Sequence, residues 1–189
     1  MNNIGTLPIQ TKRLLLRPFK KEDASSMFRN YCSDEEVTRY LTWNKHENVQ
    51  QTEAFLLSFI DQYQTNTHYQ WAICQQEMKD EVIGSIDLRN KPNDCMEVGY
   101  VLGKAFWNQG YMTEAFKAII DYFFCLMKGK TILAYYELEN IASKKVMLAC
   151  GLTPIENDLR FTPKVNKQVI LGGCGLTLDQ YNELIKKRK

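Results

Sequence analysis

The stretch Trp107-Asn108-Gln109-Gly110-Tyr111-Met112-Thr113-Glu114-Ala115 has residues suited to holding an anion. After Gly110, apolar residues recur three and four apart through Phe116, Ile120, Phe123 and Met127, the spacing of one helix face. A glycine at a helix start lets backbone N–H groups approach an anion with no side chain in the way, and the helix dipole adds positive potential there. Such a loop can hold a pyrophosphate. It follows neither the GxxxxGKS/T pattern nor the GxGxxG pattern. A glycine before a helix is also an ordinary turn residue, so the loop alone leaves both readings open. Two further groups stand at chemically useful places. Glu97 falls on the face of an alternating run that also carries Gly99 and Val101, opposite Met96, Val98, Tyr100 and Leu102. Asn140 and Ser143 open a short helical pattern, where either side chain can simply satisfy a helix-start amide.

The elements that must position these groups follow from periodicity. A strand is predicted over 11–19, stopped by Pro18. Short helices are predicted over 23–31 and 34–41. A better one spans 47–64, with Val49, Thr52, Leu56, Phe59, Ile60 and Tyr63 on one face. Strands over 68–74 and 81–88 flank a polar turn, and 95–102 is a further strand. A helix over 111–127 ends at Gly129, and 131–138 is a strand. Asn140 caps a helix over 141–150, which Gly151 terminates. One strand over 168–171 and a helix from about Leu178 complete the chain. The order implies a single domain over 1–189 of the mixed α+β class. It would be a single-layer twisted, mostly antiparallel sheet with helices on both faces, and 95–138 is sized for one βαβ crossover.

Composition narrows the function. The 189 residues carry 24 Lys and Arg against 22 Asp and Glu, for a net charge of +2, which argues against a nucleic-acid binder. The basic end, Lys186 to Lys189, suits a solvated helix terminus. The longest apolar run, over 122–127, is too short to span a membrane, and the first ten residues lack the pattern of a secretory signal. The six cysteines have no CxxC spacing and read as free thiols of a cytoplasmic protein. His46 and His68 have no second histidine or cysteine at ligand spacing, so no metal is expected. No patch in the sequence singles out an oligomer interface.

Four blocks resemble, in register, the GNAT superfamily of acetyl-CoA-dependent N-acetyltransferases, and more narrowly its Rim-type, ribosomal-protein N-terminal acetyltransferase-like branch. TKRLLLRPFKKEDA is similar to the family's first strand and helix. EVIGSIDL with MEVGYVL resembles its central hairpin, FWNQGYMTEAFKAIIDYFF its coenzyme loop and helix, and LENIASKKVMLACGL its N-x-x-S helix. The likeness runs from about Thr11 to Leu152, and LTLDQY resembles the usual ending. The family's loop usually has Arg or Gln, two residues, Gly, one residue, then Gly or Ala. Here those places hold Trp107, Gly110 and Met112.

The resemblance implies the GNAT fold and a coenzyme site. Backbone groups of Gln109, Gly110, Tyr111, Met112 and Thr113 would hold the pyrophosphate of acetyl-CoA. Val101 and Leu102 would pair by main chain with the pantetheine arm, in a slot where strand 95–102 diverges from 131–138. Gly99 is where a bulge would be tolerated. Asn140 and Ser143 would lie near the thioester, although Asn140 as a cap alone accounts for its position equally well. Glu97 is the candidate base, or else a solvated strand residue. Ser143 would protonate or hydrogen-bond the leaving thiolate, with Tyr135 and Tyr136 as fallback acids. The implied reaction is direct attack of an amine on the thioester, most simply a protein N-terminal α-amine. A small amine such as a polyamine, amino acid or antibiotic is the alternative acceptor, and a non-catalytic coenzyme A sensor the alternative function. The acceptor would be set by the early helices with Trp43 and His46, and by 156–167.

Overall fold

The computed structural model describes residues 1–65 and 68–187; Arg188 and Lys189 of the basic end lie outside them. The chain enters as two short strands, β1 (Ile9–Gln10) and β2 (Leu14–Arg17), paired antiparallel. The single strand expected over 11–19 is broken because the Thr11 hydroxyl accepts the Leu14 amide at 3.0 Å and turns the chain. Next come α1 (Ala24–Met27), α2 (Glu35–Thr38) and α3 (Val49–Gln62). The predicted helix over 23–31 is subdivided, with a 3₁₀ turn at Lys21–Asp23 and a π turn at Phe28–Cys32 on either side of α1. Asp34 caps α2 and Asn48 caps α3 through side-chain oxygens.

An antiparallel meander follows: β3 (His68–Gln75), β4 (Met78–Lys91) and β5 (Cys95–Leu102). Then come α4 (Tyr111–Asp121), a π turn at Tyr122–Met127, β6 (Thr131–Glu137), α5 (Ile141–Ala149), β7 (Thr153–Thr162), β8 (Lys167–Thr177) and α6 (Leu178–Lys186). The strands form one sheet in the order β1-β2-β3-β4-β5-β6-β8-β7. Among the described residues, only β5 and β6 pair in parallel, across the α4 crossover that the spacing predicts.

Helices cover both faces of the sheet. On one face, Met96, Val98 and Leu102 of β5 share a core with Met112, Ala115, Phe116, Ile119 and Ile120 of α4 and with Tyr181 of α6. Burying each large side chain there contributes about 1.5–3 kcal/mol. On the other face, Ala72, Cys74 and Val82 pack against Met27, Tyr31 and Leu56 of the early helices, with Val101 against them. The alternation read for β5 therefore holds. A strand the sequence reading did not include, β7, lies at the sheet edge, where its side chains are mostly exposed and a register shift between Ile155 and Asp158 interrupts its pairing.

Candidate active site

The β5–β6 ladder runs from Cys95↔Thr131 to Val98↔Ala134 and stops. Beyond it β5 keeps pairing with β4 as far as Leu102, while β6 keeps pairing with β8 as far as Glu137. The two strands therefore splay apart and leave a slot, as the resemblance implies. The Gly103 amide donates to the Ile83 carbonyl at 2.8 Å, which fixes the alternation along β5. Odd-numbered residues turn their main-chain groups toward β4 and even-numbered ones toward the slot. Val101, expected on the slot, thus has its main chain turned to β4. Tyr100 and Leu102 border the slot instead.

No bulge forms at Gly99, where one would be tolerated: the β4–β5 register runs unbroken through Asp87↔Gly99. The glycine is needed for another reason. Its amide donates to Asp87 Oδ1 at 2.7 Å, and a Cβ there would stand 2.5 Å from that oxygen and 2.6 Å from Arg89 Nη2.

The loop before α4 is shaped by its sequence. Gly110 is the N-cap, with φ of 77°, and no side chain caps the helix. The first helical bond runs from the Glu114 amide to the Gly110 carbonyl at 3.0 Å. The amides of Tyr111, Met112 and Thr113 are left at the helix end without helical partners. Gln109 turns its carbonyl away to accept from Arg13 Nη1 at 2.9 Å. Arg13 also donates through Nε to Glu114 at 2.7 Å, and its guanidinium lies 4.3 Å from the Tyr111 ring centroid. Thr11 and the Arg13 amide donate to the other Glu114 oxygen. Burial raises the Glu114 pKa, but these bonds outweigh it and hold the carboxyl below the usual range. Glu114, read as a dipole-matched first-turn residue, is therefore also the latch between loop and β2. Trp107 stands where the family has Arg or Gln. Its Nε1 donates to the Leu102 carbonyl at 2.7 Å and ties the loop to the end of β5. Met112 is buried in the core.

On the α4–α5 face of the splay, Asn140 accepts the Ser143 amide at 3.1 Å, so its capping role is present. Ser143 Oγ lies 2.8 Å from the Tyr100 hydroxyl, which also contacts the Ser143 carbonyl at 3.0 Å. Burial pushes the Tyr100 pKa up strongly, against the opposing hydrogen bond from Ser143. Sequence reasoning placed Tyr100 among core residues and overlooked its hydroxyl. The parity of β5 put it on the face toward α5, which was the available signal. Of the fallback acids, Tyr136 packs against the core, and Tyr135 lies under the Arg160 guanidinium at 4.0 Å.

On the opposite face, Glu97 is 3% exposed, not solvated. Its carboxylate accepts from Arg160 Nη1 at 2.8 Å and lies 3.0 Å from Lys91 Nζ and 3.4 Å from Arg89 Nη2. Desolvation raises its pKa, but the Arg160 hydrogen bond and the neighbouring cations win, so the carboxyl is held below the usual range. A carboxylate stabilised in its charged form is a weak proton acceptor. This geometry therefore makes Glu97 the clamp of an ion cluster and speaks against its expected role as base.

The turn between β7 and β8 reaches the early helices, where Lys164 Nζ donates to the Thr38 and Arg39 carbonyls at 2.5 and 3.0 Å. Trp43, His46 and Phe55 pack on one another with centroids 5.2 Å apart. Among the described residues no three of His, Cys, Asp and Glu gather as a metal site. No described helix is long and apolar enough to cross a membrane.

A slot between splayed parallel strands, followed by an uncapped glycine-led helix, is the arrangement the resemblance implies. A family model described as acetyltransferase (GNAT) domain matches residues 13–153. The chain belongs to the GNAT acetyltransferases. An uncharacterized N-acetyltransferase, p20 of Bacillus licheniformis, is 33% identical over 141 residues, 74% of this chain and 78% of its own. A GNAT-family acetyltransferase from Bacillus anthracis shares the fold with a TM-score of 0.80 at 23% identity, covering 92% of this chain and 99% of its own. RimL, a ribosomal L7/L12 α-N-protein acetyltransferase solved with coenzyme A, has a TM-score of 0.79 at 16% identity, covering 92% and 99%.

Proposed function

We propose that this GNAT acetyltransferase moves the acetyl group of acetyl-CoA to the α-amine of a protein N-terminus by direct attack. The observation that carries the reading is the splay itself. One side offers a hydroxyl pair, Ser143 with Tyr100, and the other opens to solvent past Arg160 and Asp158, whose side chains are 29% and 42% exposed. The donor supplies an acetyl thioester. The helix-end amides of Tyr111, Met112 and Thr113, with Gly110 leaving room for them, would hold its pyrophosphate. The Gln109 carbonyl is tied to Arg13, which leaves its amide to join them. Tyr100 and Leu102 would pair with the pantetheine arm. The Leu102 carbonyl already accepts from Trp107, so its amide is the group left for this. Asn140 holds the start of α5, and with it Ser143, in place.

In the reaction a C–N bond forms, the C–S bond breaks, and the proton lost by the amine balances the one the thiolate gains. Ser143, hydrogen-bonded to Tyr100, would donate toward the leaving sulfur. The amine asks little of a base. An α-amine pKa of about 7.8 leaves roughly a quarter neutral at about pH 7.4, whereas a lysine amine near 10.4 is only about 0.1% neutral. That difference, about 3.5 kcal/mol, matches a site whose nearest carboxylate is locked in ion pairs. RimL, which shares the fold, acts on a protein α-amine by its description.

The test is release of free thiol from acetyl-CoA with a panel of acceptors. N-terminal peptides should turn over, with mass spectrometry locating the acetyl on the first residue. Turnover restricted to polyamines or aminoglycosides would replace this acceptor class with the small-amine one. Coenzyme binding without turnover on any acceptor would favour a sensor.

A further inference from the structure

Arg160 is held in place on the open face of the splay, yet one edge of its guanidinium, Nη2, meets neither of the carboxylates that hold it. It projects from β7 across β8 and β6 to β5. Nε donates to Asp158 Oδ2 at 2.7 Å and Nη1 to Glu97 Oε1 at 2.8 Å, while the planar group lies 4.0 Å from the Tyr135 ring centroid. Glu97 is one residue before the last β5–β6 pair, and Tyr135 is one residue after it. The guanidinium therefore bridges the apex of the splay, on the side away from Ser143. Nη2 meets neither of these carboxylates, and the Tyr135 hydroxyl also interacts with the guanidinium. The side chain is 29% exposed.

We infer that Arg160 determines acceptor specificity by donating a hydrogen bond from Nη2 to the carbonyl or carboxylate oxygen next to the acceptor's α-amine. This rests on the acetyl-transfer reading above and adds the chemical feature of the acceptor that the site recognises. Three points carry it. The donor is planar, always charged and fixed by two carboxylates and an aromatic face, so little side-chain freedom is lost when it binds an oxygen. Its position at the apex puts it where an amine approaching from the open face would present its neighbouring atoms. The local charge is nearly balanced, with Arg89, Lys91 and Arg160 against Asp87, Glu97 and Asp158, so directed hydrogen bonding rather than net charge sets the preference. An acceptor with only methylenes beside its amine, as in a polyamine, leaves Nη2 unmatched.

The experiment compares two peptides of one sequence, one native and one with its first carbonyl reduced to methylene. Binding of each to the protein saturated with coenzyme A is measured by calorimetry, and kcat and KM are measured with acetyl-CoA. The variants are Arg160→Lys, which keeps a cation beside Glu97 but loses the planar edge, and Arg160→Gln. The wild type should prefer the native peptide, and Arg160→Lys should weaken it about tenfold to a hundredfold, mainly through KM. The reduced peptide should hardly notice the substitution. Equal losses on both peptides with a lowered melting temperature would make Arg160 structural and overturn the inference. So would equal wild-type binding of both peptides, or of spermidine. A free amino acid preferred over the peptide, and sensitive to Arg160→Lys, would support the recognition of an oxygen while overturning the protein N-terminus as acceptor. If coenzyme binds and acceptors do not turn over, the binding arm still decides on Arg160, while the transfer reading falls.

Discussion

On one face of the β5–β6 splay a tyrosine and a serine hydroxyl meet above an apolar core. On the other, Arg89, Lys91 and Arg160 interlock with Asp87, Glu97 and Asp158. The first face is covered by α4 and α5, and a raised tyrosine pKa records its burial. The second holds its carboxylate below the usual range although Glu97 is buried, because cations surround it. Two residues of one strand, Tyr100 and Glu97, thus reach opposite electrostatic outcomes through the parity of β5. A neutral hydroxyl pair suits the departing sulfur, where a fixed charge would perturb the thiol. The charged face suits an incoming polar acceptor.

The largest expected effect lies where the two faces share a dependence, the loop proposed to anchor the coenzyme. Gly110→Glu forces a side chain into a left-handed conformation and adds an anion at the helix end. Acetyl-CoA affinity should fall about a hundredfold or more by calorimetry. A melting curve near that of the wild type would show that the variant is folded. Next comes the covered face. Ser143→Ala should lower kcat about a hundredfold at unchanged coenzyme affinity, as loss of a proton donor does. Tyr100→Phe should follow it if the two hydroxyls act as a pair. An undiminished kcat in both would remove the hydroxyl face from the chemistry.

Much of this was legible in the sequence. Strong periodicity exposed β5 and α4, and the glycine before α4 marked the helix start that Gly110 caps. The splay was legible only through the family resemblance, since divergence of two strands leaves no mark on either one's alternation. Three features were missed for separate reasons. β7 is an exposed edge strand containing Pro154, so it lacks the pattern of a buried one. Tyr100 sits among core residues on its face, and a hydroxyl at the rim of a core reads as core. The clamp on Glu97 is assembled from residues as far apart as 89 and 160, and no local spacing encodes contacts across four strands.

The charged face yields the next effect. Because the Glu97 pKa is depressed in the fold, its contribution to stability is present above the unfolded carboxyl value, near about 4.3, and is lost as pH falls through the folded value. Wild-type stability should therefore drop as pH is lowered below about 5, and Glu97→Gln should flatten that slope while costing about 1–2 kcal/mol at neutral pH. Denaturant unfolding at several pH values measures both. Kinetics separate the two roles for Glu97. A clamp predicts a change mainly in acceptor KM, through Arg160. A base predicts a fall in kcat of about a hundredfold or more, with the acid limb of the pH profile removed.

The smallest effect separates capping from contact. Asn140 and Asn48 do the same local work, each accepting the amide three residues on, at 3.1 and 3.0 Å. Only Asn140 stands beside the hydroxyl pair. Replacing either by alanine should cost about 1 kcal/mol, a fall of roughly 2–4 °C in Tm for a chain of this size. Asn48→Ala should leave coenzyme affinity and kcat unchanged, and Asn140→Ala should lower kcat only a few-fold as the start of α5 loosens around Ser143. If Asn140→Ala instead weakens coenzyme binding tenfold while Asn48→Ala does not, the cap is also a ligand contact. Asn140→Asp then sharpens the distinction. It preserves the cap and favours the helix dipole, so it should restore Tm; it should restore affinity only if the role of Asn140 is confined to the cap.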